Sequence, residues 1–412
     1  MRFFLPPDEQ LRRIKSAVSP LEIISEEELL ERLRRSYLRG EPLIVKQGFD
    51  ASAPDLHLGH AISLWKLRSF QDLGHKVIFL IGDFTGMVGD PSGRSRTRPR
   101  LSRNEVLRNA QTYRDQVFRI LDPDPEKLEI RFNSEWHSSR TIEEFLELCS
   151  RWTVRRMLER DDFWQRFQAE EPISILEFLY PLIQAYDSVA LKADIELGGG
   201  DQRFNLMLTR HIQRSFGQEP EVIILMPLLR GTDGAEKMSK SLGNAIGITD
   251  SPQEMYGKLM SIPDLLLEEY LLLTSGWEEE EVKRQMREKE PYELKHTLAY
   301  QVVSRFYGEE QAEKAQRSFL DLFRDHRLPT VQELKSQGLV VEMPQGKVWL
   351  PKLMVDVKVV PSTSEALRLI RSGAVEWDGV KVKAVPVAEV EVTGEHIVKV
   401  GKRRFFAVVV KT

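Results

Sequence analysis

The 412-residue sequence lacks three features that would assign it to other classes of protein. It has a single cysteine, Cys149, which excludes an internal disulfide bond and any metal site built from paired cysteines. No apolar run approaches the length of a membrane-spanning helix, and residues 1–6 are too short a stretch for a signal peptide. We therefore expect a cytoplasmic protein with no membrane partner, in which Cys149 is a buried structural thiol.

A general excess of basic residues is also missing, because the formal net charge is −4. This argues against a nucleic-acid-binding coat over the whole surface. The charge is nevertheless uneven. Residues 350–412 contain eleven lysines and arginines against seven aspartates and glutamates, a net charge of +4, so the rest of the chain carries −8. The C-terminal segment is therefore predicted to be a basic module that binds a polyanion.

The first part of the chain alternates short apolar runs with helical patterns. Residues 43–45, 77–81 and 222–225 are apolar runs typical of buried parallel strands, and 57–73 has the pattern of a helix. Capping boxes predict two more helices, one beginning after Ser102 and one after Thr141. This rhythm predicts a doubly wound α/β fold with its ligand site beyond the carboxyl ends of the strands.

The pattern changes after residue 250. It is helical to about 330, and 331–349 lacks clear periodicity among prolines and glycines, which is typical of a linker. The last segment has a capped helix from Ser362 to Ser372 and then strands around the turn Asp378-Gly379. We therefore predict an α/β domain over 1–249, an α-helical domain over 250–330, a linker over 331–349 and a small α+β domain over 350–412.

The first motif with a chemical meaning is His57-Leu58-Gly59-His60, at the start of a predicted helix. A helix N-terminus offers free N–H groups and a positive dipole end, which suit a triphosphate. His57 and His60 are three residues apart, so both can donate to one phosphate, and Gly59 lets an adenine approach the backbone. Alone the motif is a modest signal, since two ordinary surface histidines would also produce it.

A second motif, Lys237-Met238-Ser239-Lys240-Ser241, lies in a loop flanked by glycines. Two ammonium groups in such a loop can close over a pyrophosphate and neutralise the charge that develops in a transition state. Five fixed residues arise by accident in roughly one chain of this length per ten thousand. The alternative, a solvated lysine loop, is therefore much weaker when the upstream histidines are also present.

The two motifs together, about 180 residues apart, resemble the pair that marks class I aminoacyl-tRNA synthetases. Further stretches resemble bacterial tyrosyl-tRNA synthetases of the second bacterial type, namely 48–57, 86–93, 180–188 and 197–202. The resemblance implies a Rossmann-like catalytic domain that activates tyrosine with ATP and Mg²⁺ and holds no metal of its own. It also implies transfer of tyrosine to tRNA(Tyr) and a homodimeric enzyme.

The resemblance assigns roles to residues that match the family's motifs. Catalytic roles fall on His57, His60, Lys237, Lys240 and Gln202, the last of them near the reacting carboxyl–phosphate centre. Asp50 and Ser52 would face ATP, and Asp201 would bind its ribose. The full set of implied ATP-binding residues is Gly48, Asp50, Ser52, Gly59, Gly199, Asp201, Met238, Ser239 and Ser241.

Four residues match the family's tyrosine pocket. Asp90, Tyr180 and Gln184 would hold the substrate ammonium, which needs a carboxylate and neutral acceptors. Asp187 would accept the tyrosine hydroxyl, and leaving such a buried group unpaired is how this family is known to reject phenylalanine. Taken singly, Tyr180 could be plain core and Asp90 part of a plain turn.

One departure from the better-known bacterial form concerns the tyrosine that also contacts the substrate hydroxyl there. The corresponding positions before Asp50 are Lys46 and Gln47 in this sequence. Neither is a tyrosine. The sequence therefore leaves the second partner of the hydroxyl unidentified.

An arginine-rich stretch follows residue 93, with arginines at 94, 96, 98, 100 and 103. Such density can clamp an ATP phosphate or the acceptor end of a tRNA. A solvated loop with incidental ion pairs explains it equally well.

The C-terminal segment resembles an S4-type RNA-binding domain, on the stretches 364–375 and 378–382. The resemblance implies contacts to the tRNA backbone from basic residues, which is their usual role in such interfaces. A merely basic hairpin module is the alternative. The implied tRNA-binding residues are Arg368, Arg371, Lys402, Arg403 and Arg404.

Three rival functions differ in observable features. A tryptophan-specific synthetase shares the fold, but Gln184 and Asp187 fit tyrosine better and its relatives usually lack an S4-like tail. Other nucleotidyltransferases with the histidine motif lack the lysine motif joined to tRNA-binding domains. A catalytically inactive RNA-binding regulator would be expected to have lost His57, His60 or Lys240, and all three are present.

Overall fold

The computed structural model describes residues 4–16, 18–19, 22–50, 55–89, 103–324, 331–336, 339–357, 359–382, 388–401 and 404–411. The chain divides into two compact units, one formed by 1–250 with 255–312 and the other by 251–254 with 313–412. Each unit has its own core of buried apolar side chains. No helix among these residues is both long enough and apolar enough to cross a membrane.

The first unit is built on a sheet of strands in the order β1-β6-β5-β2-β3-β4. Neighbouring strands from β6 to β4 are parallel, and only β1 at the edge runs antiparallel. The predicted doubly wound α/β fold is therefore confirmed. The strands are β1 (Glu22–Ile24), β2 (Ile44–Asp50), β3 (Lys76–Gly82), β4 (Leu128–Phe132), β5 (Ile195–Gly199) and β6 (Val222–Met226).

Helices cover the chain between and after these strands. Their starts follow the capping chemistry of the sequence: Thr141 accepts from the backbone N–H of Glu144, and Ser174 caps the next long helix in the same way with Glu177. The helices are α1 (Pro7–Ser16), α2 (Glu26–Arg39), α3 (Leu58–Asp72), α4 (Thr85–Val88), α5 (Arg103–Val117), α6 (Ser134–His137), α7 (Ile142–Ser150), α8 (Val154–Met157), α9 (Asp161–Gln168), α10 (Ile175–Leu191), α11 (Arg203–Ser215), α12 (Pro252–Met260), α13 (Leu267–Thr274), α14 (Glu279–Glu288), α15 (Pro291–Tyr307) and α16 (Glu309–Arg324).

The helices predicted after residue 250 are present as α12 to α16, but the prediction of a separate helical domain over 250–330 was wrong, because 255–312 belong to the same compact unit as the sheet. The thiol of Cys149 is half-buried, so the prediction of a buried thiol was wrong. It lies at the side of a cluster that includes Leu148 and Phe163, and its partial burial raises the pKa of the thiol. A structural role with no special reactivity agrees with this position.

In the second unit, a sheet has the strand order β10-β9-β12-β13-β7, and β11 pairs with β8. The predicted capped helix is present as α19, and Asp378-Gly379 forms the turn between β9 and β10 with positive φ at both residues. The elements are α17 (Val331–Ser336), β7 (Val340–Met343), β8 (Gly346–Trp349), α18 (Leu350–Asp356), α19 (Thr363–Arg371), β9 (Val375–Trp377), β10 (Val380–Lys381), β11 (Glu389–Val392), β12 (Glu395–Val400) and β13 (Arg404–Val410).

The prediction of a structureless linker over 331–349 was wrong. This segment contains α17, β7 and β8, and β7 pairs in parallel with β13 from Val340–Ala407 to Met343–Val410. The residues that pair with β7 lie more than sixty positions later in the chain. A short strand of this kind has no local periodicity that the sequence reveals, because only the distant partner fixes it.

Candidate active site

The residues of both signature motifs meet at the carboxyl ends of the parallel strands. The chain runs from β2 outward to β4 on one side and from β5 to β6 on the other, so the sheet changes direction between β2 and β5. Ligands of open α/β sheets bind at such a point. Asp50 ends β2 and Gly199 ends β5, which places both at the edge of this crevice.

His57 and His60 form a compact pair at the start of α3. His57 is the residue before the first helical turn, and its backbone N–H donates to Nδ1 of His60 at 3.2 Å. Their ring centroids are 3.8 Å apart. Because Nδ1 of His60 accepts this bond, the ring hydrogen lies on Nε2, where it can be donated to a ligand.

Both imidazoles are neutral at physiological pH. Burial lowers the pKa of His57 to about 2, and the nearby His60, Lys240 and Lys237 add to the effect. Burial and Lys240 lower the pKa of His60 to about 4. Nδ1 of His57 is buried without a hydrogen-bond partner among the described residues. A neutral donor pair of this kind suits hydrogen bonding to a phosphate without adding a fixed charge.

The lysine motif lies in a loop that is tied to the histidine motif by backbone hydrogen bonds. The N–H of Leu58 donates to the carbonyl of Ile246 at 2.8 Å, and that of Ile248 to the carbonyl of Leu56 at 3.2 Å. A Cβ at Gly59 would lie 3.1 Å from the His57 ring and 3.8 Å from Cβ of Met238. The two motifs therefore form one structure although they are far apart in the sequence.

The two lysines of the loop reach across the crevice to carboxylates on either side of it. Nζ of Lys237 lies 2.8 Å from Oδ2 of Asp201, and Nζ of Lys240 lies 2.6 Å from Oδ2 of Asp55. All four side chains are partly exposed, so both pairs can open. An anion that enters between them can replace the carboxylates as the partner of both ammonium groups.

Asn244 holds the loop together, and the sequence analysis did not identify it. Its Oδ1 accepts from the N–H of Ser239 at 2.8 Å, and its Nδ2 donates to Asp233 at 2.8 Å. A Cβ at Gly231 would lie 2.1 Å from this Nδ2, so the loop requires glycine there. A single asparagine after a known motif carries no signal of its own, which is why it was missed.

Gln202 and Asp201 follow β5 in a single turn of 3₁₀-helix. The side-chain oxygen of Gln202 accepts from the N–H of Gly199 at 3.2 Å. A Cβ at Gly199 would lie 2.6 Å from Oδ1 of Asp201 and 3.0 Å from Leu228, so a larger residue there would displace the Asp201 carboxylate. The turn brings the Asp201 carboxylate to the loop lysine Lys237.

On the other side of the crevice, Asp50 links β2 to α10. Its Oδ2 accepts from the hydroxyl of Tyr180 at 2.9 Å and its Oδ1 from the hydroxyl of Thr85 at 2.7 Å. A Cβ at Gly82 would lie 2.3 Å from both Asp50 and Thr85, which explains glycine at the end of β3. Tyr180 and Asp50, expected on the tyrosine and ATP sides respectively, are thus direct neighbours.

Asp187 on α10 is buried and surrounded by donors. Its Oδ1 accepts from Trp136 Nε1 at 2.9 Å and lies 2.8 Å from His137 Nε2, and its Oδ2 accepts from Asn133 Nδ2 at 3.2 Å. Asn133 also donates to Thr85 at 3.0 Å, which joins this group to Asp50. The sequence analysis identified Asp187 but none of its three donors, because each is a single polar residue with a distant partner.

Of the two remaining residues of the predicted tyrosine pocket, Gln184 and Asp90, the structure describes only Gln184. The amide oxygen of Gln184 accepts from Asn205 Nδ2 at 2.9 Å, which fixes its orientation on α10. Asp90, Ser52 and the arginines at 94, 96, 98 and 100 lie outside the described residues, as do the side chains of Arg103 and Ser241.

The predicted RNA-binding residues belong to the second unit. Arg368 and Arg371 are exposed on α19, and Arg368 forms an ion pair with Glu365 at 2.6 Å. Arg404 is exposed at the start of β13 and donates to the carbonyl of Val359. Lys402 and Arg403 lie outside the described residues. The described cations therefore occur on a helix and on a strand of the same small unit.

Comparisons with known proteins agree on one family. The family described as "tRNA synthetases class I (W and Y)" matches residues 38–324. A relative from Aquifex aeolicus named tyrosine–tRNA ligase is 50% identical over 405 residues, covering 98% of this chain and 100% of the relative. One of the same name from Thermotoga maritima is 50% identical over 409 residues, covering 98% of both chains.

A solved structure shows the same fold at low sequence similarity. The tyrosyl-tRNA synthetase from Archaeoglobus fulgidus, solved in complex with L-tyrosine, superposes with a TM-score of 0.61 at 23% identity. The match covers 75% of this chain and 99% of that one. At this identity the likeness concerns the fold, and it confirms the Rossmann-like class of the catalytic unit.

Proposed function

Because the chain belongs to the class I tRNA synthetases, and among them to the tyrosine–tRNA ligases, we propose that its crevice has a nucleotide side and a tyrosine side. The enzyme activates tyrosine with ATP and esterifies tRNA with it. A tyrosine carboxylate oxygen attacks the α-phosphorus of ATP and the bond to pyrophosphate breaks. A ribose hydroxyl of the tRNA then attacks the carbonyl carbon and AMP leaves. The rival tryptophan specificity has no support from the full-length relatives.

The nucleotide side comprises the histidine pair and the two loop lysines. The single observation that carries this assignment is that Lys237 and Lys240 are bound to carboxylates on opposite sides of the crevice, beside the half-buried histidine pair. A triphosphate offers the same lysines a stronger partner, and charge on the departing pyrophosphate grows in the transition state. Gln202 and Asp201 at the end of β5 would then face the reacting centre and the ribose.

The tyrosine side comprises Tyr180, Gln184 and Asp187 on α10, with Asp90 completing the ammonium pocket. These α10 residues are spaced by about one helical turn, so they lie along one face of the helix. Asp187 is buried and Gln184 is half-buried. The protein contributes positioning and electrostatic stabilisation, and the chemistry requires no covalent nucleophile.

The test is pre-steady-state formation of tyrosyl-adenylate. We expect His60→Ala and Lys240→Ala to slow the chemical step by about a hundredfold or more, while tyrosine binds almost normally. Lys127→Ala is the control for Lys240→Ala, because its partly exposed ion pair with Asp122 at 2.8 Å resembles that of Lys240 with Asp55 at 2.6 Å. A large loss of tyrosine affinity with an intact chemical step would contradict these roles.

ATP enters as its Mg²⁺ complex in this proposal. The metal would travel with the phosphates and share the neutralisation of their charge with Lys237 and Lys240. An exchange rate that follows the concentration of the Mg²⁺–ATP complex would support it. Full activity with ATP after removal of divalent cations would contradict it.

A homodimer is the proposed assembly. Large apolar side chains are exposed in the segment between β4 and β5, which is unusual for a surface that stays in water. They are Ile142, Leu146, Val154, Trp164, Phe167 and Ile175. We expect Trp164→Glu to shift the sedimentation coefficient towards the monomer, while Leu265→Glu, at an exposed leucine outside this segment, leaves it unchanged. A monomeric unmodified chain at micromolar concentration would contradict the dimer.

The tRNA partner is tRNA(Tyr), and the proposed contacts are the basic residues of the second unit, led by Arg368, Arg371 and Arg404. Replacing any residue that binds a phosphate should lower the salt dependence of RNA binding.

The proposed compartment is the cytoplasm, where an enzyme that charges tRNA meets its substrate. Cell fractionation tests that assignment.

A further inference from the structure

The open question on the tyrosine side is what assists Asp187 in recognising the substrate hydroxyl. Among the described residues, neither Lys46 nor Gln47, at the positions before Asp50, forms a hydrogen bond with Asp187. Nζ of Lys46 lies 2.6 Å from Glu196, and the two side chains are 1% and 2% exposed, so this ammonium is committed within the sheet. Gln47 has the opposite orientation on the strand and donates to Ser63 of α3 at 3.1 Å.

The donors that do reach Asp187 come from one short segment. Asn133 ends the turn after β4, and Trp136 and His137 lie on α6 directly after it. A carboxylate has about four acceptor positions, of which these three donors fill three. The remaining capacity is available to one more donor, and the tyrosine hydroxyl is such a group.

His137 is the donor held mainly by the packing of aromatic rings around it. The side chain of His137 is 2% exposed, and its ring stacks on that of Phe84. The two ring centroids are 5.1 Å apart and the angle between the ring planes is 30°. Tyr186 on α10 packs against the same ring, with the two ring centroids 5.9 Å apart. An ionised carboxylate cannot donate, so Nε2 of His137 must carry the hydrogen in the 2.8 Å contact with Asp187. The ring therefore fixes Oδ1 in one direction.

We propose that His137 is a positioning residue for tyrosine specificity, which locks the Asp187 carboxylate so that its free acceptor position faces the substrate hydroxyl. The inference rests on the proposed role of Asp187. Phenylalanine is rejected because it would leave that acceptor buried and unpaired. If the carboxylate could turn to another partner, the penalty for phenylalanine would fall. Rigidity supplied by His137 thus strengthens the discrimination that Asp187 provides.

The test compares three substitutions of His137 by kcat/KM for tyrosine and for phenylalanine in ATP–pyrophosphate exchange. His137→Leu keeps the bulk but removes the donor. His137→Gln can place an amide N–H close to the position of Nε2, whereas the shorter His137→Asn cannot. We expect His137→Leu and His137→Asn to lower the tyrosine-to-phenylalanine ratio by about tenfold, with His137→Gln restoring most of it. The KM for ATP should stay unchanged.

His75→Leu is the matched control, because His75 is also buried and its Nε2 lies 2.8 Å from Oε1 of Gln10, away from Asp187. It should leave the ratio unchanged even if it lowers the midpoint of thermal unfolding. An unchanged ratio in His137→Leu overturns the inference. If His137→Leu does not fold, equal ratios in the glutamine and asparagine variants overturn it instead.

Asp187→Ala, measured in parallel, separates this inference from the proposed function. If Asp187→Ala lowers the ratio and His137→Leu does not, only the role of His137 fails. If neither lowers the ratio, Asp187 is not the hydroxyl reader and both assignments fail. If the unmodified enzyme does not prefer tyrosine, the proposed function fails before any variant is compared.

Discussion

At the scale of single residues, the site depends on carboxylates whose partners are set in advance. Asp50 is held by Tyr180 and Thr85, and Asp187 by three donors from the segment after β4. Because these two carboxylates are already oriented by their hydrogen bonds, they do not have to turn when a substrate binds. The loop lysines differ, since their ion pairs are partly exposed and can exchange partners.

Asp187→Asn and Asp187→Ala should both weaken discrimination against phenylalanine. Loss of a charged acceptor for the hydroxyl is worth about 1.5–3 kcal/mol, or roughly a tenfold to hundredfold change in the ratio of kcat/KM values. Asp83→Asn is the control, because Asp83 is also buried and accepts from Ser134 on the same segment at 2.6 Å. A ratio that changes equally in the control would show a general loosening of the segment rather than removal of the hydroxyl acceptor.

The sequence was sufficient to find residues that occur in long, fixed motifs and insufficient for the residues that hold them. His57, His60, Lys237 and Lys240 stand in patterns that chance rarely produces. Asn244, Thr85, Asn133 and Asp55 are single polar residues whose partners lie elsewhere in the chain, so only the fold reveals their contacts. Their functional importance stays a prediction until variants are measured.

At the scale of elements, buried charge hid part of the sheet from the sequence analysis. The predicted strand at 43–45 stopped before Lys46, whereas β2 continues to Asp50. β5 was not predicted, because Glu196 interrupts its apolar pattern. Nζ of Lys46 and Oε1 of Glu196 lie 2.6 Å apart on neighbouring strands. Each residue therefore gives the other the charged partner that makes burial inside the sheet possible. Apolar strands without such residues, β3 and β6, were predicted well.

Lys46→Met should destabilise the fold strongly. Burial disfavours the charged lysine, but Glu196, Glu221 and Asp187 outweigh burial and raise its pKa. Glu196 is the carboxylate that pairs with Lys46 directly, with Nζ of Lys46 2.6 Å from Oε1 of Glu196. Removal of Lys46 leaves that charge unpaired in the interior, at a cost of about 3–5 kcal/mol in the free energy of unfolding.

The measurement is urea-induced unfolding, with Lys76→Met as the control. Lys76 also stands on a strand and pairs with Glu129 at 2.7 Å, but both side chains are 34% exposed. Its removal should cost at most about 1 kcal/mol. A second replacement, Glu196→Gln, should recover part of the stability that Lys46→Met removes. Equal effects of the two single substitutions would contradict the view that burial makes this pair important.

At the scale of the whole molecule, the two units allow activation and RNA binding to be tested separately. The predicted linker at 331–349 is not a suitable place to divide the chain, because β7 belongs to the sheet of the second unit. The end of α16 at Arg324 is more suitable, since it keeps every proposed activation residue and leaves α16 whole, with 313–324 of the second unit retained.

A chain that ends at Arg324 should fold and activate tyrosine almost normally, but it should charge tRNA poorly. It lacks Arg368, Arg371 and Arg404, so the slope of tRNA affinity against salt should fall by about 0.7–0.9 for every phosphate that it no longer binds. ATP–pyrophosphate exchange, aminoacylation and a salt titration measure the three effects. Charging that survives truncation would show that the second unit is not the RNA-binding module, and loss of exchange would show that it supports the catalytic fold.

The most direct test of the central claim is ATP–pyrophosphate exchange by the full chain with each of the twenty amino acids in turn. Exchange reports the first reaction alone, so it does not depend on the source of the tRNA. Because the proposed pocket would offer the buried Asp187 carboxylate to a hydroxyl donor, tyrosine alone should drive efficient exchange, with phenylalanine far behind. A preference for tryptophan, phenylalanine or any other amino acid would contradict the account.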